Sequence, residues 1–189
     1  MRLTKEKAEQ NRAVILETAS RLFRTQGIQN VSVADIMQAA GFTHGGFYNH
    51  FASKEELAAQ VVASSFHNAA KHLSDKITMG SEKGLKTAIS EYLSPTHRDA
   101  CAGGCPASAL PVDAARNGED VQGAYADGIE AYIDIFSAQM NGDKKQARQE
   151  AIAVLSGMVG AMVLARAVRK SEPKLSDELL SAARKHFAK

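Results

Sequence analysis

The chain is poor in cysteine and nearly devoid of strand-like alternation, and no repeat or low-complexity linker interrupts it. Two cysteines, Cys101 and Cys105, are too few and too close together to form a disulfide framework, so the chain reads as the product of a reducing compartment. No apolar run approaches the roughly 20 residues of a membrane span. The charged opening MRLTKEKAEQNRAVILETA lacks the apolar segment and small-residue cleavage site of a secretory signal. The expectation is a soluble, cytoplasmic protein with no membrane partner. What is present is ordinary globular composition: 189 residues, 44% apolar and 23% charged, enough for one large or two small domains with a core that needs no staple.

The net charge of +2 is unevenly distributed. Residues 1–54 carry Arg2, Lys5, Lys7, Arg12, Arg21, Arg24 and Lys54 against four acids, a balance of +3, and the remainder is −1. The positive excess at the front is a weak sign of polyanion binding.

Helical periodicity dominates. Val14, Ile15, Ala19, Leu22 and Phe23 form one apolar stripe, closed where Gly27 offers a left-handed position; a helix over about 5–26 follows. Ser32 and Asp35 form a capping pair for a short helix stopped by Gly41. Thr43 caps the next start, and Ser53-Lys-Glu-Glu56 opens a helix through about residue 76. Further helices are predicted over about 83–93, 106–116, 120–140, 144–170 and 175–187, with 95–107 irregular. The fold class is all-α, about nine helices: an N-terminal three-helix unit (1–54) and a C-terminal helical unit (55–189).

Two short helices joined through Ala39-Ala40-Gly41-Phe42-Thr43 have the arithmetic of a helix-turn-helix. Two glycines, Gly45 and Gly46, stand at the start of the second helix, each costing roughly 0.8–1 kcal/mol of helix propensity relative to alanine. Either the helix start is flexible or the backbone must approach another surface, such as the floor of a DNA major groove. Tyr48, Asn49, His50 and Lys54 follow as hydrogen-bond donors of the kind that clamp phosphates.

Residues 12–57, above all VSVADIMQAAGFTHGGFYNHFASKEEL (31–57), resemble the DNA-binding domain of the TetR family of transcriptional regulators. The resemblance covers the first-helix stripe, the glycine turn, the Phe-Tyr-x-His-Phe segment and the Ser-Lys-Glu-Glu-Leu capping box. It implies a homodimer, most simply a repressor, that binds a palindromic double-stranded operator, with a C-terminal domain that senses a small-molecule inducer. It also implies base reading by Thr43, His44 and Gly45, phosphate clamping by Tyr48, His50 and Lys54, and a phosphate near the Ser32 cap. Asn49 stands where many relatives carry an aromatic. Lys5, Lys7 and Arg12 either add nonspecific charge or form a solvated helix face.

In the C-terminal half, Gly157, Gly160 and Ala161 beside Leu155, Met158, Val159, Met162 and Val163 suit a helix packed on its own domain and on a partner. With the family resemblance, helices about 144–170 and 175–187 are the expected dimer surface. A ligand pocket is expected among the middle helices, lined by Phe66, Tyr92, Leu110, Tyr125, Tyr132 and Phe136, though helical spacing does not separate a cavity wall from a filled interior.

Cys101 and Cys105 admit three readings. Pro106 at a first helical position would set Cys105 at a helix cap, where positive charge lowers a thiol pKa, and His97 and Arg98 would assist; that is a redox or electrophile sensor. Pro111 argues for a helix beginning later, at Ser108, with Cys105 in a loop as a small structural hydrophobe. An enzyme using Cys105 as nucleophile and His97 as base is the third, but no orienting group, glycine-rich phosphate loop or paired-carboxylate motif accompanies it, and the chain is read as no enzyme. His97, Asp99, Cys101 and Cys105 make only a weak zinc pattern, so neither metal nor cofactor is expected.

Overall fold

The computed structural model describes residues 5–80 and 83–188, and every regular element in it is helical. Arg2, counted above in the basic head, lies outside the described residues. The order is α1 (Lys5–Gln26), α2 (Val33–Ala39), a 3₁₀ turn (His44–Asn49), α3 (Lys54–Met79), α4 (Gly84–Tyr92) and α5 (Pro95–Asp99). A second 3₁₀ turn (Cys101–Gly103) leads to α6 (Pro106–Ala109), α7 (Pro111–Arg116), α8 (Glu119–Ser137), α9 (Lys144–Val168) and α10 (Pro173–Phe187).

The helix boundaries follow local chemistry. In α1, Ile15, Ala19 and Phe23 are fully buried at helical spacing, and Gly27 ends it at φ +84°. Ser32 accepts the Asp35 amide while the Asp35 carboxylate takes the Ser32 amide, a reciprocal cap on α2. Ser53 likewise accepts the Glu56 amide at 3.1 Å, but Glu56 reaches one residue further back, to the amide of Ala52 at 2.6 Å.

All four prolines of the chain open helices, at Pro95, Pro106, Pro111 and Pro173, where the missing amide proton costs nothing. This resolves the conflict over residues 106–116: instead of one helix with a clash, there are two short ones, broken at Leu110 with φ −120° and ψ 15°. Together with α5 and the Cys101–Gly103 turn, which occupy the stretch expected to be irregular, the split accounts for the elements beyond nine.

α3 is the axis of the fold, packed on α1, α4 and α8, while α9 lies between α8 and α10. One continuous apolar core runs from Ile15 to Leu180. Gly128 of α8 permits a close approach: a Cβ there would stand 2.1 Å from Cγ of Phe66 on α3.

One expectation needs correction. α9 is long and apolar enough, by length and composition alone, to cross a membrane. In this fold Ala147, Ala151, Leu155, Met158, Met162 and Ala165 bury one face of it inside the protein, and Ile152 and Leu164 remain exposed on the other.

Candidate nucleic-acid interface and interior cavity

The helix-turn-helix is built on buried aromatics. Phe47 and Phe51 are sealed in the core with their rings 5.5 Å apart, and Phe42 packs partly against it. Gly41, at φ +79°, turns the chain between α2 and the 3₁₀ turn, helped by the Phe42 amide bonding to the Met37 carbonyl at 2.8 Å. The recognition segment is therefore a single 3₁₀ turn, His44–Asn49, held from beneath by Phe47.

On that support Thr43, His44, Gly45, Tyr48 and Asn49 all face solvent, Tyr48 with 63% of its surface open, and His50 is half-buried beside Phe51. The Tyr48 ring stands edge-on to Phe47 at 5.3 Å, which aims its hydroxyl outward, and Thr43 spends no side-chain bond on the turn it precedes. Gly45 has open space where a Cβ would project, and Gly46 only ordinary contacts with Met37 and Thr43. Neither has a positive φ. Interior packing therefore explains neither glycine.

Ser32 sits differently. Its hydroxyl accepts the Asp35 amide and donates to the Asp35 carboxylate at 2.6 Å, and those bonds with Lys54 nearby hold Asp35 below its usual range. Lys54 opens α3 close enough to Asp35 for the two charges to interact. Arg12 is drawn inward: its guanidinium lies 4.6 Å from the centre of the Phe51 ring and bonds to Gln60, tying α1 to α3.

A cavity of about 830 Å³ lies between α1, α3, α4, α8 and α9. Of the six expected lining residues it takes Tyr92, Tyr132 and Phe136. The others lie elsewhere. Leu110 is fully buried, Tyr125 donates its hydroxyl proton to the Ala107 carbonyl at 2.7 Å and is pushed by burial to a pKa of about 12, and Phe66 fills the space between Tyr125 and Tyr132. Phe66 also borders a separate depression between α3 and α8.

Sequence reasoning missed the contribution of α1. Leu16, Glu17, Ser20 and Arg24 form one wall of the cavity, so the helix that supports the helix-turn-helix on Ile15, Ala19 and Phe23 also faces the interior space. Their i, i+4, i+8 spacing from Leu16 was the available signal, but nothing in a sequence distinguishes a wet second face from a cavity wall.

Cys105 caps α6 without a side-chain bond to the helix, and its sulfur lies 3.5 Å from the Tyr132 hydroxyl. Burial outweighs the helix end and pushes the thiol up, opposite to the expected lowering. Cys101 bonds weakly to the Arg98 carbonyl at 3.5 Å, and both cysteines are free. His97 is committed at both nitrogens: Nδ1–H donates to the Tyr92 carbonyl at 2.8 Å and Nε2 accepts the Cys105 amide at 3.2 Å. Burial depresses its pKa, so the ring is a neutral crosspiece with no lone pair left for a base or a metal. Among the described residues no cluster of metal-ligating side chains occurs.

Arg98, expected to assist the Cys105 thiol, and Arg166, not singled out from the sequence, instead organise this corner. Arg166 on α9 donates to the carbonyls of Arg98 and His97 and to Ser108. Arg98 reaches Asp99, Asp177 and Ser176, joining α5 to α10.

The comparisons agree with the geometry. The family described as bacterial regulatory proteins, tetR family, matches residues 15–61. The transcriptional regulator TtgR of Pseudomonas putida is 42% identical over 73 residues, 39% of this chain and 34% of its own length. AcrR of Shigella flexneri is 42% identical over 60 residues, 32% of this chain and 28% of its own. The chain thus spans about a third of the length of the curated relatives it matches. Among solved structures, reduced NemR from E. coli superposes with a TM-score of 0.81 at 19% identity, covering 94% of this chain and 95% of that one. A TetR-family regulator from Agrobacterium tumefaciens gives 0.78 at 21%, covering 96% and 97%. The likeness to the tetR family of bacterial regulatory proteins lies in residues 15–61, which contain the helix-turn-helix, and the likeness of fold extends over nearly the whole chain.

Proposed function

We propose that the chain is a transcriptional regulator, acting as a repressor, that binds a palindromic operator as a homodimer and is released by a small molecule taken into the cavity. The observation that carries the DNA-binding reading is the Thr43–Asn49 surface: a row of exposed donors with a backbone gap at Gly45, set on a rigid aromatic base. A bare backbone at Gly45 admits the edge of a base pair, Thr43 and His44 read it, and Tyr48, Asn49, His50 and Lys54 meet phosphates on either side. Ser32, already engaged by Asp35, contributes through its position at the α2 start rather than through its hydroxyl.

The dimer reading rests on α9. Only 28% of its most apolar stretch is buried within the chain, leaving a face that a second copy would cover. A Cβ added at Gly160 would meet nothing within 4 Å, whereas Gly157 is occupied internally by the Phe187 ring of α10. Small residues on α9 thus serve its own domain at one position and stay open at the other.

Selection of bound fragments from genomic DNA, followed by titration against salt, tests this reading. Sequence-specific binding that weakens steeply with salt is expected, because each phosphate contact releases a counterion. Salt-insensitive or absent binding refutes it.

A second reading places Cys105 as a thiol sensor. Its support is that the thiol lines the cavity beside Tyr132, where an entering electrophile would meet it. If Cys105→Ser leaves release from DNA by N-ethylmaleimide or diamide unchanged, this reading fails. The cysteine-enzyme alternative loses its base, since both nitrogens of His97 are engaged.

A further inference from the structure

One end of the cavity holds more hydrogen-bond donors than acceptors. Arg24, near the C-terminal end of α1, gives one amino group to the Ala102 carbonyl at 3.2 Å, but its Nε is buried with no partner. No carboxylate pairs with this guanidinium among the described residues, and burial lowers its pKa, a sign of a charge held away from water and from counter-charge. The Tyr92 hydroxyl, on the same cavity wall, is also buried and without a partner. The Ser108 hydroxyl, which donates to the Cys105 carbonyl and accepts from Arg166, keeps one lone pair near Tyr92, so an occupant must offer that hydroxyl the stronger, charged acceptor. Direct contacts tie this end of the cavity together: the Tyr92 ring lies 4.6 Å from His97, His97 takes the Cys105 amide at 3.2 Å, Cys105 meets the Tyr132 hydroxyl at 3.5 Å, and Arg24 reaches Ala102 in the turn just before Cys105, all bordering the one space.

The rest of the cavity sets the other properties of an occupant. Leu73, Phe136, Leu155, Met158 and Val159 form an apolar side. The two acids of the lining do not serve the donors: Glu91 is paired with Lys76, and Glu17 lies exposed on α1, seven residues before Arg24 and therefore roughly 10 Å away along the helix axis. A cationic ligand would leave both donors unpaired and add charge beside Arg24. A buried donor left unsatisfied is costly, and an acceptor that bears charge makes the stronger bond.

We propose that Arg24 and Tyr92 form an anion subsite, and that the effector is an amphipathic organic anion, a carboxylate or phenolate on an apolar body, with its negative group on Arg24 Nε and the Tyr92 hydroxyl. This rests on reading the cavity as the effector site. Arg24 also fixes the end of α1 to the Ala102 carbonyl, so an anion competing for the guanidinium acts directly on the helix that carries the helix-turn-helix.

The test is calorimetric titration of the full chain with octanoate and 4-phenylbenzoate, each against its uncharged amide, on wild type, Arg24→Gln and Tyr92→Phe. At least one carboxylate should bind roughly tenfold to a hundredfold more tightly than its amide, the equivalent of one or two charge-assisted bonds. Arg24→Gln should erase the difference and Tyr92→Phe should reduce it. Equal affinity for acid and amide, no carboxylate binding below millimolar, or an acid preference that survives Arg24→Gln overturns the proposal. If Arg24→Gln fails to fold by its melting curve, the acid and amide comparison in wild type and in Tyr92→Phe decides. DNA binding of the same wild-type preparation, without and with the carboxylate, separates the two readings. Carboxylate binding that leaves DNA affinity unchanged upholds the subsite and removes its effector role, while failed carboxylate binding with intact DNA binding removes the subsite alone.

Discussion

The amide of Ile28, just beyond α1, donates to Oδ1 of Asp113 on α7 at 2.6 Å. Gln29 and Asn117 reinforce the junction at 3.1 Å. A residue of the α1–α2 connection is thereby fixed by a side chain from the C-terminal part of the chain. Ile28 is 1% exposed, so its amide has no water to fall back on. Asp113→Ala should lower stability by about 1–3 kcal/mol, the cost of a stranded buried donor, and Asp113→Asn, which keeps an acceptor, should lose less. Urea unfolding of both variants measures this; an unchanged midpoint for Asp113→Ala would show that the junction carries no stability.

Gly45 separates a folding role from a contact role. With open space at its Cβ position and no positive φ, Gly45→Ala should melt at or above the wild-type temperature. Its affinity for selected DNA should fall at least about tenfold, the effect of one lost close contact. A melting temperature that drops, or affinity that stays, removes Gly45 from the reading surface.

His44 and Lys54 should differ in kind. His44→Ala is expected to change which bases are preferred, and Lys54→Ala to weaken all duplexes alike and reduce the salt slope by about one. Binding-site selection on both variants distinguishes them, and identical profiles would refute the assigned roles.

Thiol chemistry at Cys105 should be slow at neutral pH. Burial raises its pKa above the ordinary 9.0, so the thiolate fraction, and with it the alkylation rate in a Cys101→Ser background, should still be climbing past pH 9. A rate that levels off below pH 8 would mean an activated thiol and would favour the sensor reading.

Two glycines on α9 give a paired test of its two faces. A Cβ at Gly157 would stand 2.1 Å from the Phe187 ring, so Gly157→Val should expel α10 at a cost of about 1–3 kcal/mol. A Cβ at Gly160 meets nothing within 4 Å, which is the room from which Gly160→Leu would project. It should leave the fold intact by circular dichroism and shift the molecular mass seen by light scattering toward the monomer. A wild-type monomer at micromolar concentration would remove the dimer proposal itself.

The long helices were legible because their signals are local. Ser32 and Ser53 cap the helices they precede, and the stripe from Ile15 to Phe23 is the buried face of α1. The segment around residue 100 was not legible, because helices of five, three and four residues have too few internal bonds to leave a periodic pattern. They exist through distant partners: Arg166 holds the carbonyls of His97 and Arg98, and Arg98 itself is anchored on Ser176 and Asp177. Arg166, the first charge after the apolar run of α9, was the one hint of that anchor. For the DNA-facing surface, spacing placed Thr43 to Asn49 together, since neighbouring residues share a turn whatever the tertiary fold. The cavity depends on which of several apolar faces fail to meet, and that is a property of the assembled helices.

The two faces of α1 also constrain the thermodynamics. Ile15, Ala19 and Phe23 hold the helix-turn-helix while Leu16, Ser20 and Arg24 border the cavity. In the regulator proposed above, one rigid helix cannot report to the operator without also listening to it. If a ligand weakens operator affinity by some factor, the operator must weaken ligand affinity by the same factor. Ligand affinity measured on the free protein is then an upper bound on its affinity for the DNA-bound form, and the separation between the two is the whole range over which the switch can act.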